Sequence, residues 1–222
     1  MIDKNTRVVM ITGAAGGLGS SMAKLAAASG WLTILIDKNK RALERLYDEI
    51  VRAGGVEPFL QVLDLAAVGP DECDKLLLAL ESEAGGLDAL VHCAVSFSGL
   101  QPLDLLEPNE WLNQLQVNLN APWMLTVKCL PFLKKSPQAS VLFLLDGQPK
   151  SKALWGAYGV SKAGLHALAE QFNAELKGSR ICVHAVDPGP MRTSLRSSVF
   201  HSEHPASVRT PDQVAEQLVA LL

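Results

Sequence analysis

The chain has 222 residues, 48% of them hydrophobic, and its 20 Lys and Arg against 23 Asp and Glu leave a formal net charge of −3 at pH 7. The basic residues are scattered, which excludes the electrostatic footprint of a nucleic-acid or membrane-surface protein. The four cysteines lack metal-ligand spacing, and the sequence contains neither a secretion signal nor an apolar stretch near the roughly 20 residues of a membrane span. We therefore expect a cytoplasmic protein without a metal site.

Strand-like runs alternate with helical patterns along the whole chain. The first three pairs are RVVMITG with GSSMAKLAAASG, LTILID with KRALERLYDEIVRAGG, and VEPFLQVLDL with DECDKLLLALESEAGG. The next three are LDALVHCA with NEWLNQLQVNLNAPWMLTVKCLPFLKK, SVLFLLD with GAYGVSKAGLHALAEQFNAELKG, and RICVHAVDPG with a loop and TPDQVAEQLVALL. Runs that are apolar at every position fit strands covered on both faces. We predict one three-layer α/β/α domain over residues 1–222, with a doubly wound parallel sheet of six or seven strands.

The helix ends and the one long irregular segment complete this outline. Gly54, Gly85 and Gly178 follow helical segments, and Thr210 before Pro211 is typical of a helix cap with a first-turn proline. Residues 187–209 are rich in Ser, Pro and His, and a loop of this length in a compact domain is often a lid. Its two histidines, His201 and His204, lack further metal ligands, so we interpret them as polar loop residues.

The first strand-to-helix turn carries the sequence TGAAGGLG. Gly13, Gly17 and Gly19 in this turn precede an alanine-rich helix, whose backbone amides and dipole favour an anion. A glycine pattern alone is weak evidence, but this one lies in the first strand-to-helix turn of a βαβ series, where a dinucleotide is expected. We therefore predict a dinucleotide-binding site, although a plain glycine-rich connection would show the same spacing.

Carboxylates end the predicted second and third strands. Asp37 lies about twenty residues beyond the glycines, where it could accept hydrogen bonds from ribose hydroxyls and would repel a 2′-phosphate. Lys38 could offset part of that repulsion, so we expect NAD in preference to NADP. Asp64 in VLDL could border the adenine. Both aspartates are also common as simple strand-end residues.

Tyr158 and Lys162 lie four residues apart near the start of a predicted helix, so their side chains share a face. Tyrosine has an ordinary pKa of ~10, and a neighbouring ammonium would bring that pKa toward the working range of a proton donor or acceptor. An ordinary amphipathic helix start would account for this pair if it stood alone.

Taken together, TGAAGGLG, LDL, Asn118 in LQVNLNAP, YGVSK and DPGPMRT resemble the short-chain dehydrogenase/reductase family over essentially the whole chain. The sequence is most similar to bacterial members with WGAY before the Ser-Lys pair. The resemblance implies a Rossmann-type domain, an alcohol or carbonyl substrate, and a homodimer or homotetramer formed through the long helices. It also implies that Tyr158 exchanges a proton with the substrate, that Lys162 assists it and touches the nicotinamide ribose, and that Asn118 holds a water.

The same resemblance implies a cofactor site along the strand ends. Pro188, Gly189 and Thr193 would meet the nicotinamide carboxamide, and residues 187–209 would cover the substrate. The expected cofactor contacts are Thr12, Gly13, Gly17, Leu18, Gly19, Asp37, Lys38, Asp64, Leu65, Ala94, Tyr158, Lys162, Pro188, Gly189 and Thr193.

Three features depart from the family pattern. Asp146, or Leu145 beside it, occupies the place of the family's serine, and an ionised carboxylate accepts hydrogen bonds but cannot donate one to a carbonyl. Ser151 is another candidate hydroxyl. HCAV at 92–95 replaces the family's Asn-Asn-Ala-Gly turn, and the sequence ends at Leu222, where members usually add a seventh strand.

Two functions therefore stay open from the sequence. The first is an NAD(P)-dependent oxidoreductase that uses Tyr158, Lys162 and Asn118, with Asp146 beside them. The second is a dinucleotide-binding pseudoenzyme, a sensor or assembly subunit, because the serine is replaced. A methyltransferase-like domain is disfavoured, since it gives Tyr158 and Lys162 no role.

Overall fold

The structure, a computed structural model, describes residues 6–147 and 152–222. Six parallel strands form one sheet in the order β3-β2-β1-β4-β5-β6. The strands are β1 Val8–Thr12, β2 Leu32–Asp37, β3 Phe59–Val62, β4 Ala89–His92, β5 Ala139–Leu144 and β6 Ile181–Val186. This order is that of a doubly wound Rossmann-type sheet, which confirms the predicted fold class.

Helices connect the strands. The helices are α1 Gly17–Ala28, α2 Lys40–Arg52, α3 Pro70–Glu83, α4 Pro108–Leu115, α5 Ala121–Leu133, α6 Gly156–Glu175, α7 Ser194–Ser197 and α8 Pro211–Val219. Short 3-10 turns lie at Leu103–Leu105 and Pro205–Ser207. No helix within residues 6–147 or 152–222 has the length and apolar character needed to cross a bilayer.

The apolar strands divide their side chains between two cores. Along β1, Val8 and Met10 join the core that α3, α5 and α6 cover, whereas Val9 and Ile11 join the core that α1, α2 and α8 cover. All five positions of β1 and all six of β5 are buried. This is why these strands are continuous hydrophobic runs rather than alternating ones.

The predicted helix-end signals are confirmed. Gly54, Gly85 and Gly178 have φ values of 78°, 70° and 83°, which lie in the left-handed region that glycine adopts without strain. The Thr210 hydroxyl accepts a hydrogen bond from the Gln213 amide at 3.3 Å, and the Gln213 side chain accepts one from the Thr210 amide at 3.0 Å. This reciprocal cap fixes the start of α8 after the loop.

Three local predictions need correction. The segment 187–209 is not helix-free, because Thr193 caps the single turn of α7 by accepting the Arg196 amide at 3.2 Å. Asp64 does not end β3 but lies two residues beyond Val62, in a turn where its carboxylate accepts the Ala66 amide at 3.0 Å. The long helix before β5 is interrupted by a π-helical turn at Gln116–Asn120.

Candidate active site

A cleft of about 390 Å³ opens at the carboxyl ends of the strands. β1 and β4 are neighbours there although the chain visits β2 and β3 between them, and ligands of doubly wound sheets bind at such a switch point. The cleft is lined by these predicted site residues: Gly13, Gly17, Leu18, Gly19, Asp37, Lys38, Asp64, Leu65, Ala94, Asp146, Tyr158, Lys162, Pro188, Gly189 and Thr193. The remaining two predicted residues, Thr12 and Asn118, lie behind its wall.

The glycine turn is built for close backbone approach. Gly13 has φ +64°, and a Cβ placed on it would lie 2.6 Å from Cα of Ala94. A Cβ on Gly19 would lie 2.2 Å from the carbonyl oxygen of Gly13. Thr12, fully buried, accepts the Ala94 amide with its hydroxyl at 3.3 Å and so holds the β4 turn against the glycine turn. The amino end of α1 therefore faces the cleft directly, as a diphosphate requires.

Asp37 is the last residue of β2 and is held by the backbone around it. Its carboxylate accepts the Ala15 amide at 3.1 Å and the Asn39 amide at 2.9 Å. Lys38 is exposed beside it and lines the same end of the cleft. A carboxylate held by backbone amides and an adjacent exposed cation thus face the position expected for the adenosine ribose.

Tyr158 donates its hydroxyl proton to the Asp146 carboxylate at 2.8 Å. Asp146 follows β5 and Tyr158 lies in the first turn of α6, with only 7% of its surface exposed. Burial, reinforced by the charge and hydrogen bond of Asp146, raises the pKa of Tyr158 well above its ordinary value. The expectation that Lys162 would lower this pKa is wrong, because burial and the carboxylate prevail. Tyr158 is therefore a neutral phenol at physiological pH and a weaker acid than a free tyrosine.

Lys162 is one helical turn beyond Tyr158 and is buried with 8% exposure. Its ammonium donates to the Leu144 carbonyl at 2.7 Å and lies 5.7 Å from the centre of the Tyr158 ring. Burial lowers the pKa of Lys162 to about 8. The side chain thus carries its charge at neutral pH and loses it in mildly alkaline solution.

Asn118 lies in the π-helical turn and joins the β4 loop to α6. Its amide group donates to the Ser96 carbonyl at 2.8 Å and to the Ser161 hydroxyl at 3.1 Å, and its oxygen accepts the Ser96 amide at 2.7 Å. Pro122 has no N–H to offer the Asn118 carbonyl, which explains why α-helical bonding fails here. The predicted water-holding role stays a prediction, since the side chain itself is used for positioning.

In the HCAV segment at 92–95, the first residue, His92, points into the core. His92 is buried, its Nε2 lies 2.9 Å from the Thr126 hydroxyl, and its ring stacks on Phe143 with centroids 5.0 Å apart. Burial lowers the pKa of His92 to about 3, so the ring is neutral at physiological pH. His92 is thus a packed core residue, whereas Cys93, Ala94 and Val95 line the cleft.

Sequence reasoning missed two parts of the cleft wall. Phe97 lies with its ring centroid 4.5 Å from that of Tyr158, and Trp155 and Phe200 extend this aromatic wall. Asp187 accepts the Gly147 amide at 2.9 Å and the Gly189 amide at 2.8 Å, which fastens the loops after β5 and β6 together. Trp155 and Phe200 were visible in WGAY and in the lid segment, and Asp187 is the first residue of DPGPMRT, whereas no local pattern pointed to Phe97. Ser151 lies outside the described residues.

Comparison with known proteins places these features in a family. A family model described as short chain dehydrogenase matches residues 7–204. The uncharacterised oxidoreductase YciK of Escherichia coli strain K12 is 31% identical over 211 residues, which cover 95% of this chain and 83% of that protein.

Solved structures agree with the sequence match. A short-chain dehydrogenase of Pseudomonas syringae is 32% identical with a TM-score of 0.92, covering 97% of this chain and 88% of that one. A short-chain dehydrogenase from Shigella flexneri complexed with NADP is 30% identical, with a TM-score of 0.93, and the match covers 98% of this chain and 91% of that one. A short-chain dehydrogenase from Escherichia coli CFT073 complexed with NADPH is 30% identical, with a TM-score of 0.93, and the match covers 98% of this chain and 90% of that one.

Proposed function

The chain belongs to the short-chain dehydrogenase family, and from this premise we propose that it is an NAD(P)-dependent oxidoreductase that moves a hydride between nicotinamide and an alcohol or carbonyl substrate. The observation that carries the proposal is the cluster of Tyr158, Asp146 and Lys162 in the same cleft as the glycine turn. The dinucleotide would supply the hydride chemistry when bound. The protein supplies binding, orientation and the proton.

The residues present fit such a cofactor. The close contact between Gly13 and Ala94 keeps the glycine amides at the cleft, and the amino end of α1 offers donors for a diphosphate. In the direction of carbonyl reduction, Tyr158 would give its proton to the substrate oxygen. Its raised pKa keeps the phenol protonated at neutral pH, but also makes it a weaker acid until the bond to Asp146 is broken. Lys162 would stabilise the negative charge that this transfer leaves on the phenol oxygen.

The function is tested by following oxidation of NADPH and NADH with a broad panel of aldehydes, ketones and imines. Turnover with any of them supports the enzyme. Tight cofactor binding without turnover of any panel member favours the pseudoenzyme, for which the Tyr158 to Asp146 bond is the motivating observation, because it occupies the proton donor.

The substrate segment is proposed to be residues 187–209, within a single dinucleotide-binding domain. Met191, Leu195, Val199 and Phe200 all line the cleft, so this segment contributes its apolar wall. Arg209 donates to the Pro188 carbonyl and pairs with Met191 through a parallel bridge, which ties the far end of the segment back to its start. A segment closed at its base in this way can cover a substrate without disturbing β6.

We propose a second copy of the chain as the partner of the long helices. Apolar side chains are exposed on these helices at Leu112 of α4, Trp123 and Val127 of α5, and Val160 of α6. Trp123 and Val127 are four residues apart and thus lie on one face. Light scattering at micromolar concentration should report a dimer or tetramer, and a monomer would contradict this assignment.

For the cofactor we propose NADP rather than the NAD expected from Asp37. Two similar structures are complexes with NADP and NADPH, so the preference for NAD has no support from them. Both Asp37 oxygens are directed at backbone amides, and the exposed Lys38 is available to a 2′-phosphate.

Lys38→Ala is expected to weaken NADPH binding about tenfold and leave NADH binding unchanged, because a charge-assisted hydrogen bond is lost. Asp37→Ala should tighten NADPH binding by removing repulsion. Fluorescence titration measures both. Lys40→Ala is the matched control, since Lys40 pairs with Glu44 at 3.8 Å and is not in the cleft lining. Tighter binding of NADH by the wild type, with no effect of Lys38→Ala, would restore the NAD prediction.

Turnover is expected to have an alkaline limit set by Lys162. Its pKa near 8 means that the ammonium is present below this pH and lost as the pH rises through it. We expect kcat to fall from pH 7 to pH 9.5. Lys162→Arg keeps the charge over this range, so any activity that it retains should lack the alkaline limb. If kcat of Lys162→Arg fell between pH 7 and pH 9.5 as it does in the wild type, the loss of activity would come from the titration of another group.

A further inference from the structure

The segment 187–209 contains a partly buried ion pair. Arg196 on α7 donates two hydrogen bonds to the Glu203 carboxylate, one from Nη2 at 2.7 Å and the other from Nε. The two side chains are only 19% and 25% exposed, so water screens this pair less than it screens a fully exposed one. A two-point bond between a guanidinium and a carboxylate also fixes the orientation of both groups. The ion pair therefore holds α7 in one position relative to the turn at Glu203.

The same guanidinium covers the ring of Phe200. Its central carbon lies 4.4 Å from the ring centroid, and Phe200 lies in sequence between the two members of the ion pair. The Phe200 amide donates to the Arg196 carbonyl at 2.8 Å, and the Glu203 amide donates to the Phe200 carbonyl at 3.2 Å. The ring is thus held by a stacked cation whose position Glu203 fixes.

On its other side, Phe200 belongs to the wall of the cleft. Its ring centroid lies 6.3 Å from that of Trp155, and Trp155 stacks on Phe97 at 5.6 Å. All three rings line the cleft, whereas Glu203 is not part of the lining. The position of one wall ring is therefore set by a carboxylate that a substrate in the cleft would not touch.

The amino end of α7 is fixed by the glycine turn. Thr193 caps α7, and a Cβ built on Gly17 would lie 2.8 Å from the Thr193 methyl carbon. One end of α7 thus lies against the turn expected to hold the dinucleotide, and the ion pair holds the other end. The wall that Phe200 completes is consequently placed at a set distance from the cofactor site.

We propose that Glu203 is a positioning residue for the substrate wall: it holds Arg196, and Arg196 holds the Phe200 ring against Trp155. The inference rests on the proposed function, since it assigns the cleft beside these rings to the substrate. A wall ring that is already ordered loses less side-chain entropy when a substrate binds, which raises the affinity for a flat apolar ring. Glu203 thus contributes to substrate affinity and not to the chemical step.

Hydrogen exchange tests the positioning without substrate or cofactor. Glu203→Gln has nearly the same shape but no charge, and we expect the backbone amides of residues 196–203 to exchange about fivefold faster than in the wild type. Glu49→Gln is the matched control, because Glu49 pairs with Lys24 at 3.4 Å on the surface and should leave this segment unchanged. Equal exchange rates in Glu203→Gln and the wild type would overturn the proposal.

The consequence for the substrate is tested with 2-naphthaldehyde and its alcohol, 2-naphthalenemethanol. For Glu203→Gln we expect KM for the aldehyde and Kd for the alcohol to rise about fivefold, with kcat changed by less than about twofold. Calorimetry gives the Kd of the alcohol even if the protein turns over no substrate. Failure of the oxidoreductase assignment therefore does not hide the result.

A double-substitution cycle tests whether Glu203 acts through Phe200. In Phe200→Leu the ring is absent, so adding Glu203→Gln should change the Kd of the alcohol by less than about twofold. A loss of about fivefold in both backgrounds, an unchanged Kd in Glu203→Gln alone, or no binding of the alcohol by the wild type would overturn the proposal. Absence of turnover by the wild type, with the expected Kd pattern intact, would contradict only the enzyme assignment.

Discussion

Tyr158→Phe is expected to lower kcat for carbonyl substrates by a factor of about 10²–10⁴, the range that a positioned proton donor contributes. The substitution removes only the hydroxyl, and the ring still packs against Phe97 and Trp155, so folding and NADPH affinity should be close to those of the wild type. Stopped-flow and steady-state NADPH oxidation measure the rate, and fluorescence titration measures the affinity.

The chain offers a matched control, because it has two tyrosines. Tyr47 lies on α2 and donates its hydroxyl to Glu57 at the surface, away from the cleft. Tyr47→Phe should therefore keep full activity. Retention of more than a third of the wild-type kcat by Tyr158→Phe would remove Tyr158 from the chemistry.

Gly13→Ala is expected to have the largest effect on cofactor binding. The added Cβ would meet Cα and N of Ala94 at 2.6 and 2.7 Å, and both are backbone atoms that cannot rotate away. The glycine turn and the β4 turn would have to separate, which displaces the amides that face the diphosphate. We expect NADPH affinity to fall at least a hundredfold, together with a lower melting temperature.

Gly30→Ala is the control that separates the steric clash at Gly13 from the cost of placing alanine in the left-handed backbone region. Gly30 also has a positive φ, +88°, but nothing lies within 4 Å of a Cβ placed there. Alanine in the left-handed region costs roughly 1–2 kcal/mol at either site. Gly30→Ala should therefore lose stability but keep NADPH affinity. Equal affinities of the two variants would show that the contact between Gly13 and Ala94 does not shape the cofactor site.

The sequence predicted the fold and the parts of the site that depend on local spacing. The alternation of apolar runs with helical patterns predicts a sheet between two layers of helices, because a strand that is apolar at every position must be buried on both faces. Gly13 and Gly17 belong to one turn, and Tyr158 and Lys162 to one helix, so their proximity follows from chain geometry. Counting back from Tyr158 narrowed the serine position to Asp146 or Leu145, but did not decide between them.

Contacts between distant segments were not predictable in the same way. The bond from Tyr158 to Asp146 depends on how α6 packs beside the end of β5, and this bond, with burial, reverses the expected direction of the Tyr158 pKa shift. Asp187 reaches Gly147 across 40 residues of sequence. The π-helical turn at Asn118 follows from Pro122, which has no N–H. The hydrogen bonds between the Asn118 side chain and the Ser96 backbone, however, depend on where the loop after β4 lies, which the sequence does not give.

The central claim is that a nicotinamide ring lies beside the phenol and ammonium of Tyr158 and Lys162. A crystal structure of the protein with NADPH tests it most directly. The account predicts the diphosphate on the amides after Gly13, the nicotinamide ribose at Lys162, and the ring facing the Tyr158 hydroxyl. A nicotinamide bound outside the cleft, or a Tyr158 hydroxyl turned away from it, would contradict the account.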